Sequence, residues 1–329
     1  MLSQKEVVNK LLDPASYPHE TESEIKVIET NGNWVFLTGL FAYKMKKSIK
    51  FGDVLDFSTL EKRRIVCENE IVLNTRLAPS IYLGVEMVDE IGKINPKGNP
   101  IEYLVKMKQL PQDSLLSNKL KELGKIEENT IRKIAKTVAE FHKSNVIYPE
   151  FSIYDSIYEK WDENFRTTRK YPNFPYDKEL EERVYKFLEN NKDFWEKRKN
   201  LNKIVDGHGD LILANIFEYE TEILIFDCIE FNEMLRLQDI LEEVSFLAMD
   251  LDYFGFNTLS DLYLQTYLET MKDEMNISSS FIQFYKSYRA YVRAKVYCSL
   301  SLQDILEKEK TQLIQTTKKY MKLAISYEF

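Results

Sequence analysis

The stretch "VDGHGDLILANIF", Val205 to Phe217, followed after a short break by "ILIFDCIEFN", Ile223 to Asn232, decides how this chain is read. The chain has only three histidines, and one of them, His208, stands beside Gly-Asp. Asn215 follows a few positions after Asp210, and Asp227 closes an apolar run. Short runs rich in Ile, Leu and Phe bounded by polar residues read as strands, which leaves the polar residues at the turns between them. A lone Asp after His-Gly is an ordinary turn former. Asn215 and Asp227 change that reading, because a hairpin between the two Asp residues folds them to one edge and makes a set of oxygen donors there.

Phosphoryl transfer needs a carboxylate near the acceptor hydroxyl, metal ligands across a triphosphate and a cation on the phosphate oxygens. Catalysis there is mostly positioning and charge stabilisation. The pattern H-G-D-x-x-x-x-N…D supplies the first two, with Asp210 as candidate base and Asn215 and Asp227 as candidate ligands for Mg²⁺.

Outward from this stretch the chain changes character twice. Residues 1–20 read as a short helix and a connector. "EIKVIET", the turn "NGN", "WVFLTG" and "LFAYKMKK" read as an antiparallel meander. "TLEKRRIVCENEIVLNTRLAP" reads as a helix with Ile65, Val66, Ile71, Val72, Leu73 and Leu77 on its apolar side, stopping near Pro79. Two more strands follow, "IYLGVEMVDEIG" and "IEYLVKMKQL". Beyond residue 108 the pattern becomes helical: "ENTIRKIAKTVAEFHKSN" aligns Ile131, Ile134, Ala135, Val138 and Phe141 on one face. Residues 181–200 and everything from Asp239 onward are also expected to be helical. His142 reads as a packed core or cap histidine. The expected domains are an N-terminal helix and connector at 1–20, a sheet-rich lobe at 21–108 and a helical lobe at 109–329.

A net charge of −8 argues against a chain whose main task is to neutralise nucleic-acid phosphates. Cys67, Cys228 and Cys298 stand far apart with no CxxC pair, so neither a zinc site nor a disulfide framework is indicated. No stretch approaches the roughly 20 apolar residues of a membrane span, and the N-terminus lacks an apolar signal core. A cytoplasmic protein is expected.

"HGDLILANIF", "ILIFDCIEFN" and "WVFLTGLFAYKMKK…FGDVLDFSTLEKRRIVCENEIVLNTRLAP" together resemble the aminoglycoside phosphotransferase family of protein-kinase-like small-molecule kinases. More closely, they are similar to a poorly characterised bacterial and archaeal branch of it. The resemblance runs from about residue 20 almost to the C-terminus. It implies an α+β, protein-kinase-like bilobal fold, with a small antiparallel-sheet N-lobe carrying one helix and a larger, mainly helical C-lobe. It implies Asp210 as catalytic base, Asn215 and Asp227 as Mg²⁺ ligands, Lys44 as the strand lysine that reaches the ATP phosphates, and Glu70 as its helix partner. Lys46 shares a strand face with Lys44, since strand side chains alternate, so the choice between the two lysines stays open. Gly32, in the turn "ETNGN", stands where protein kinases have several glycines and would offer backbone N–H groups to phosphate. His208 would brace the loop, and Asp239 would anchor it from the following helix. Glu230 and Asn232 would lie on the acceptor side. Members commonly carry "HGDLH"; Ile212 occupies the place of the second His, where related choline-type kinases also have an apolar residue. A P-loop kinase domain often follows in that branch, and the absence of GxxxxGK[ST] here implies the stand-alone form.

The activity so implied is transfer of the γ-phosphate of ATP to a hydroxyl of a small molecule such as a sugar, amino sugar or aminoglycoside. Two rivals are a pseudokinase-like nucleotide- or partner-binding module, and a protein kinase, which the absence of HRDxK and APE-type segments disfavours. For the acceptor, two features compete. Glu230, Glu233, Glu242, Glu243, Asp250 and Asp252 would suit a cationic acceptor, whereas Arg289 and Arg293, one helical turn apart, would present a cationic face to an anionic one. Solvated surface or internal ion pairs are the ordinary reading of both. The segment "YPEFSIYDSIYEKWDENFRTTRKYPNFPYD" reads as an insert with acceptor contacts, where Tyr154, Trp161 and Phe165 would form an apolar wall or simply pack.

Overall fold

The computed structural model describes residues 2–52, 54–94, 97–272 and 277–329. The chain forms two compact units, the first from residues up to Glu122 together with Ala214–Leu235, the second from Leu123–Leu213 and Arg236–Phe329.

The first unit opens with helix α1 (Gln4–Leu11), strands β1 (Lys26–Glu29), β2 (Asn33–Leu37), β3 (Phe41–Lys46), β4 (Lys50–Phe51) and β5 (Leu55–Asp56), and helix α2 (Leu60–Asn74). Strands β6 (Tyr82–Val88) and β7 (Glu102–Lys108) and helix α3 (Leu116–Leu123) follow. The chain then enters the second unit through α4 (Glu128–Ser144), α5 (Ile153–Thr168), α6 (Lys178–Asn190), α7 (Lys192–Asn200) and β8 (Ile204–Asp206). It returns to the first for the hairpin β9 (Ile216–Tyr219) and β10 (Glu222–Ile225). It ends in the second with β11 (Leu237–Asp239), α8 (Ile240–Tyr253), α9 (Asn257–Met271), α10 (Ser279–Ser301) and α11 (Glu307–Ser326). The change of composition near residue 108 therefore does not coincide with the division of the units, which falls after Glu122 and reassigns the 214–235 hairpin.

In the first unit five strands pair antiparallel in the order β1-β2-β3-β7-β6. Alternation along β3 sends Tyr43 and Met45 into one apolar cluster with Val7, Leu11 and Phe36. It sends Ala42 into another with Cys67, Val105, Met107, Phe217 and Leu224. Lys44 and Lys46 share the Ala42 face. Thr59 starts α2 by accepting the N–H of Lys62, and the helix packs on β6 and β7. It ends at Asn74, short of the stop expected at Pro79, and its inward stripe is Arg63, Val66, Cys67, Glu70 and Asn74. Ile65 and Val72, expected on the apolar side, are 44% and 68% exposed. Two of these five, Arg63 and Glu70, are charged because they meet polar partners on the sheet: Arg63 Nε donates to Glu102 Oε1 at 2.7 Å.

In the second unit the aromatic-rich core gathers side chains from α5, α6, α7, α8, α10 and α11. Trp161 is fully buried and stacks on Phe165 with ring centroids 5.2 Å apart. The segment read as an insert is thus largely helix α5, started by Ser152 accepting the Asp155 N–H. Its Trp161 and Phe165 are core, not an acceptor wall, while Tyr154 packs against the core's edge. The helical run at 181–200 is broken at Asn191 into α6 and α7. The face of α4 that periodicity predicts is buried, and His142 lies fully buried with Nδ1 2.6 Å from the Tyr267 hydroxyl. Burial holds the His142 imidazole at about 3, neutral at ordinary pH.

Candidate active site

In the first unit β3 and α2 bring opposite charges together under the sheet. Lys44 Nζ donates to Glu70 Oε1 at 2.9 Å and also to Asp227 Oδ1. Lys46 Nζ pairs with Glu230 and lies 2.5 Å from Glu70 Oε2, close without being aligned as a hydrogen bond. Glu70 therefore sits between both lysines, which differ in their other partners. Lys44 faces the half-exposed Asp227, whereas Lys46 is sealed beneath the Phe57 ring. Burial works to lower the Lys44 pKa, but the carboxylates of Asp227, Glu70 and Glu230 outweigh it and hold the ammonium well above the ordinary lysine range. Glu230, expected on the acceptor side, is instead buried on Lys46. A buried ammonium demands a counter-charge, and burial raises the Glu230 carboxyl.

Asp227 has a left-handed backbone, φ 63°, which is uncommon for a residue with a Cβ. Its N–H donates to the Tyr82 hydroxyl at 3.2 Å, and the next N–H, of Cys228, donates to Asn74 Oδ1 at 2.8 Å. Asn74 and Tyr82 therefore aim the Asp227 loop, and the sequence reading missed both. An Asn at the last position of a helix whose inward face carries Glu70 is the signal that was available. Asn215 closes a 3₁₀ turn, and its carbonyl accepts the Phe226 N–H at 3.0 Å, which ties the Asn215 segment to the end of β10. Asn232 accepts the Met234 N–H at 3.1 Å and so caps the turn it stands in. Gly32 lies in the β1–β2 turn and accepts the Lys47 N–H. Its φ is not left-handed, and an added Cβ would meet only Phe57 at 3.9 Å, so the turn does not require glycine.

In the second unit the loop that bears Asp210 is held by its backbone. Gly209 adopts φ 84°, a conformation that suits glycine. The N–H groups of His208 and Gly209 donate to Glu243 Oε1 at 3.1 and 3.2 Å, and that of Leu213 donates to Asp250 Oδ2 at 2.9 Å. His208 Nδ1 in turn accepts the Asp210 N–H at 3.3 Å. Asp239, expected to anchor this loop, instead receives a two-pronged hydrogen bond from Arg198, 2.8 Å on each side, and caps α8 through the Leu241 N–H. Glu243 does the anchoring, because it lies one turn into α8 and faces the loop backbone. Burial pushes the Glu243 carboxyl up to about 7 and that of Asp250 to about 6, against the pull of the N–H groups they hold. Ile212 is buried in the apolar core of this unit.

As for metal, Asp227 offers a carboxylate with 41% side-chain exposure and Asn215 an amide, both hard oxygen donors. Among the described residues no group of three or more His, Cys, Asp and Glu could hold an ion. Mg²⁺ fits such a sparse donor set, since it takes one or two protein ligands together with substrate phosphates.

No family model matches the chain. Uncharacterized proteins of Mycobacterium bovis and Mycobacterium tuberculosis are 32% identical to it over 291 residues, 86% of this chain and 56% of theirs. The chain thus spans about half the length of the curated relatives it matches. The choline kinase of Cryptosporidium parvum aligns over 98% of both chains with a TM-score of 0.53 at 13% identity. An amicoumacin kinase solved with AMP-PNP, Ca²⁺ and Ami aligns over 98% of this chain and 94% of its own, with a TM-score of 0.54 at 12% identity. Aminoglycoside 2'-phosphotransferase-IIIa, solved with GDP, aligns over 98% and 99%, with a TM-score of 0.53 at 11% identity. The chain has the protein-kinase-like fold of small-molecule kinases. This kinase-like fold is α+β, an antiparallel-sheet unit and a mainly helical one, as the sequence implied. Among the described residues no helix is long and apolar enough to cross a membrane.

Proposed function

We propose that the chain is an ATP-dependent phosphotransferase that moves the γ-phosphate to a hydroxyl of a small molecule such as a sugar, amino sugar or aminoglycoside. The observation that carries this reading is Lys44, a charged ammonium held between a fully buried Glu70 and a half-exposed, conformationally strained Asp227. Such a lysine is fixed by one carboxylate and poised at the other, which is what a phosphate-binding cation beside a metal ligand requires. Lys44 would bind the phosphate oxygens, with Glu70 orienting it. Asn215 and Asp227 would hold Mg²⁺, which when bound neutralises phosphate charge. Asp210, half-buried on a loop whose backbone is fixed by Glu243, would orient the acceptor hydroxyl and take its proton. The acceptor O–P bond forms as the bond from the γ-phosphorus to its bridging oxygen breaks. ADP leaves with that electron pair, and the hydroxyl proton passes to Asp210.

This reading makes the partner a small-molecule alcohol, not nucleic acid. It also makes the protein a cytoplasmic one, where ATP is available and where Cys67, Cys228 and Cys298, all buried and none in a disulfide, stay reduced.

General-base assistance is worth about 10²–10⁴ in rate, so Asp210→Asn is expected to lower turnover at least a hundredfold with MgATP affinity kept. Asp227→Ala is expected to weaken MgATP binding in calorimetry. Parent-level turnover in the first variant removes Asp210 from the base role, and unchanged nucleotide affinity in the second removes Asp227 from the metal.

A further inference from the structure

The sequence offers two opposite acceptor chemistries, an acidic group for a cation and an arginine pair for an anion. In the second unit the acids are consumed internally. Glu242 Oε1 accepts from Lys160 at 2.9 Å, and Asp252 accepts from Lys286 at 2.9 Å and from the Tyr327 hydroxyl at 2.8 Å. Glu243 and Asp250 hold the loop N–H groups described above. In the first unit Glu230 is bound to Lys46.

The two arginines of α10 part ways. Arg289 is structural: its guanidinium donates to Gln238, to the Glu242 carbonyl at 3.3 Å and to the Gly209 carbonyl at 3.5 Å, and it lies 4.7 Å from the Phe246 ring. That places α10 directly against the residue preceding Asp210. Arg293, one helical turn on, lies 5.0 Å from the Tyr297 ring and 5.8 Å from the Tyr320 ring. Its Nη2 donates to the Tyr297 hydroxyl at 2.9 Å, and its buried Nε has no hydrogen-bond partner. Asp210 and Asp250 act on it through charge. Tyr320 is itself stacked between Tyr253, at 3.9 Å, and Tyr297, at 5.6 Å.

We propose that Arg293, walled by Tyr297, Tyr320 and Tyr253, is the acceptor subsite of this chain and takes a carboxylate or phosphate group carried by the alcohol. The proposal rests on the reading of Asp210 as the group that meets the acceptor hydroxyl. A guanidinium fork matches both anions through parallel N–H donors, and an unused Nε–H is the donor such a fork has to offer. The stacked tyrosines give a sugar-sized or chain-sized wall beside it. An anionic acceptor approaching the carboxylates of Asp210 and Asp250 is repelled, and Arg293 offsets one of those two charges while offering the anion a hydrogen-bond donor.

The test is a thermal-shift and binding series on the full chain. One arm uses MgATP alone. A second uses matched alcohols, glucose against glucuronate and against glucose 6-phosphate, with choline and glucosamine as the cations. Parent, Arg293→Gln and Arg293→Lys are compared in both. The expected result is that MgATP stabilises all three. The carboxylate or the phosphate alcohol stabilises the parent more than its neutral or cationic counterpart, at least tenfold in affinity, and Arg293→Gln loses that preference while Arg293→Lys keeps part of it. Which anion is preferred separates the two sources. A MgATP response combined with equal binding of neutral and anionic alcohols, with preference for a cation, or with an anion preference unchanged in Arg293→Gln overturns the subsite and leaves the kinase reading standing. No MgATP response in the parent overturns that reading and the acceptor role with it.

Discussion

Replacing Lys46 with methionine isolates the energetics of the buried charge network. Lys46 is 1% exposed, and its side chain is the partner of Glu230 and a neighbour of Glu70, itself fully buried. Methionine fills most of the same volume under Phe57, so the perturbation is mainly the loss of one positive charge. Glu70 keeps Lys44, but Glu230 loses its paired cation and keeps only the longer-range charge of Lys44 beside another carboxylate. Removing one partner of a buried pair costs about 3–5 kcal/mol, because the remaining charge stays desolvated. The Glu230 carboxyl is already raised by burial and will take up a proton rather than remain ionised, which puts the loss near the lower end. At about 1.5 °C per kcal/mol for a chain of 329 residues, the melting temperature should fall by about 5 °C. Urea unfolding followed by circular dichroism gives the free energy directly. The decisive comparison is Lys46→Met combined with Glu230→Met: with both charges gone, an apolar pair of similar volume should recover most of the loss. If Lys46→Met alone lies within about 1 kcal/mol of the parent, or the double variant is as unstable as the single, the buried pair is not what holds this corner and the reasoning is wrong.

Other outcomes follow from the loop that bears Asp210. Glu243 has its carboxyl raised from 4.5 to about 7, so the folded state holds the proton more tightly than the unfolded chain. Its contribution is full below pH 4.5 and is lost as pH rises through about 7, a change of roughly 3 kcal/mol. Measured across that window, parent stability relative to Glu243→Gln should therefore decline with pH, and a difference that stays level contradicts the assignment. Gly207→Ala would place a Cβ 2.2 Å from Glu243 Oε2 and 2.9 Å from its carboxyl carbon, among buried atoms. A loss of about 1–3 kcal/mol is expected, with faster hydrogen exchange at the His208 and Gly209 amides. Gly32→Ala, with its open surroundings, should stay within about 0.5 kcal/mol of the parent. Equal effects of the two glycine substitutions would remove Glu243 as the anchor.

Where periodicity and burial agree, the fold was legible. The meander of β1 to β3, the strands β6 and β7 and the buried face of α4 follow from alternating or helical apolar spacing, and Ile131, Ile134, Ala135, Val138 and Phe141 all point inward. The pattern fails on α2, where the inward stripe includes Arg63 and Glu70, and where Ile65 and Val72 face out. A hydrophobicity template cannot find a face that is buried because it is charged. The stripe is set by partners such as Glu102, Lys44 and Lys46, distant in sequence. Only the recognition of Lys44 and Glu70 as a pair, which came from resemblance, pointed at it.

The same argument explains which site residues escaped. Asp210, Asn215 and Asp227 are marked by spacing within one short stretch, so they can be picked out locally. Their supports are not local: Asp227 is aimed by Tyr82 and Asn74, and the Asp210 loop is held by Glu243 and Asp250. Each support is a single polar residue on an otherwise unremarkable helix or strand, and its role is a hydrogen bond to a backbone N–H, which leaves no mark on the sequence. In sequence Glu243 and Asp250 therefore stand only as members of an acidic group that would suit a cation or be solvated surface. Once their lone pairs are assigned to the loop backbone, those two carboxylates are no longer open to a cation. Arg293, which donates to the Tyr297 hydroxyl, then remains as a cation on which Asp210 acts through charge, with a buried Nε–H still to satisfy.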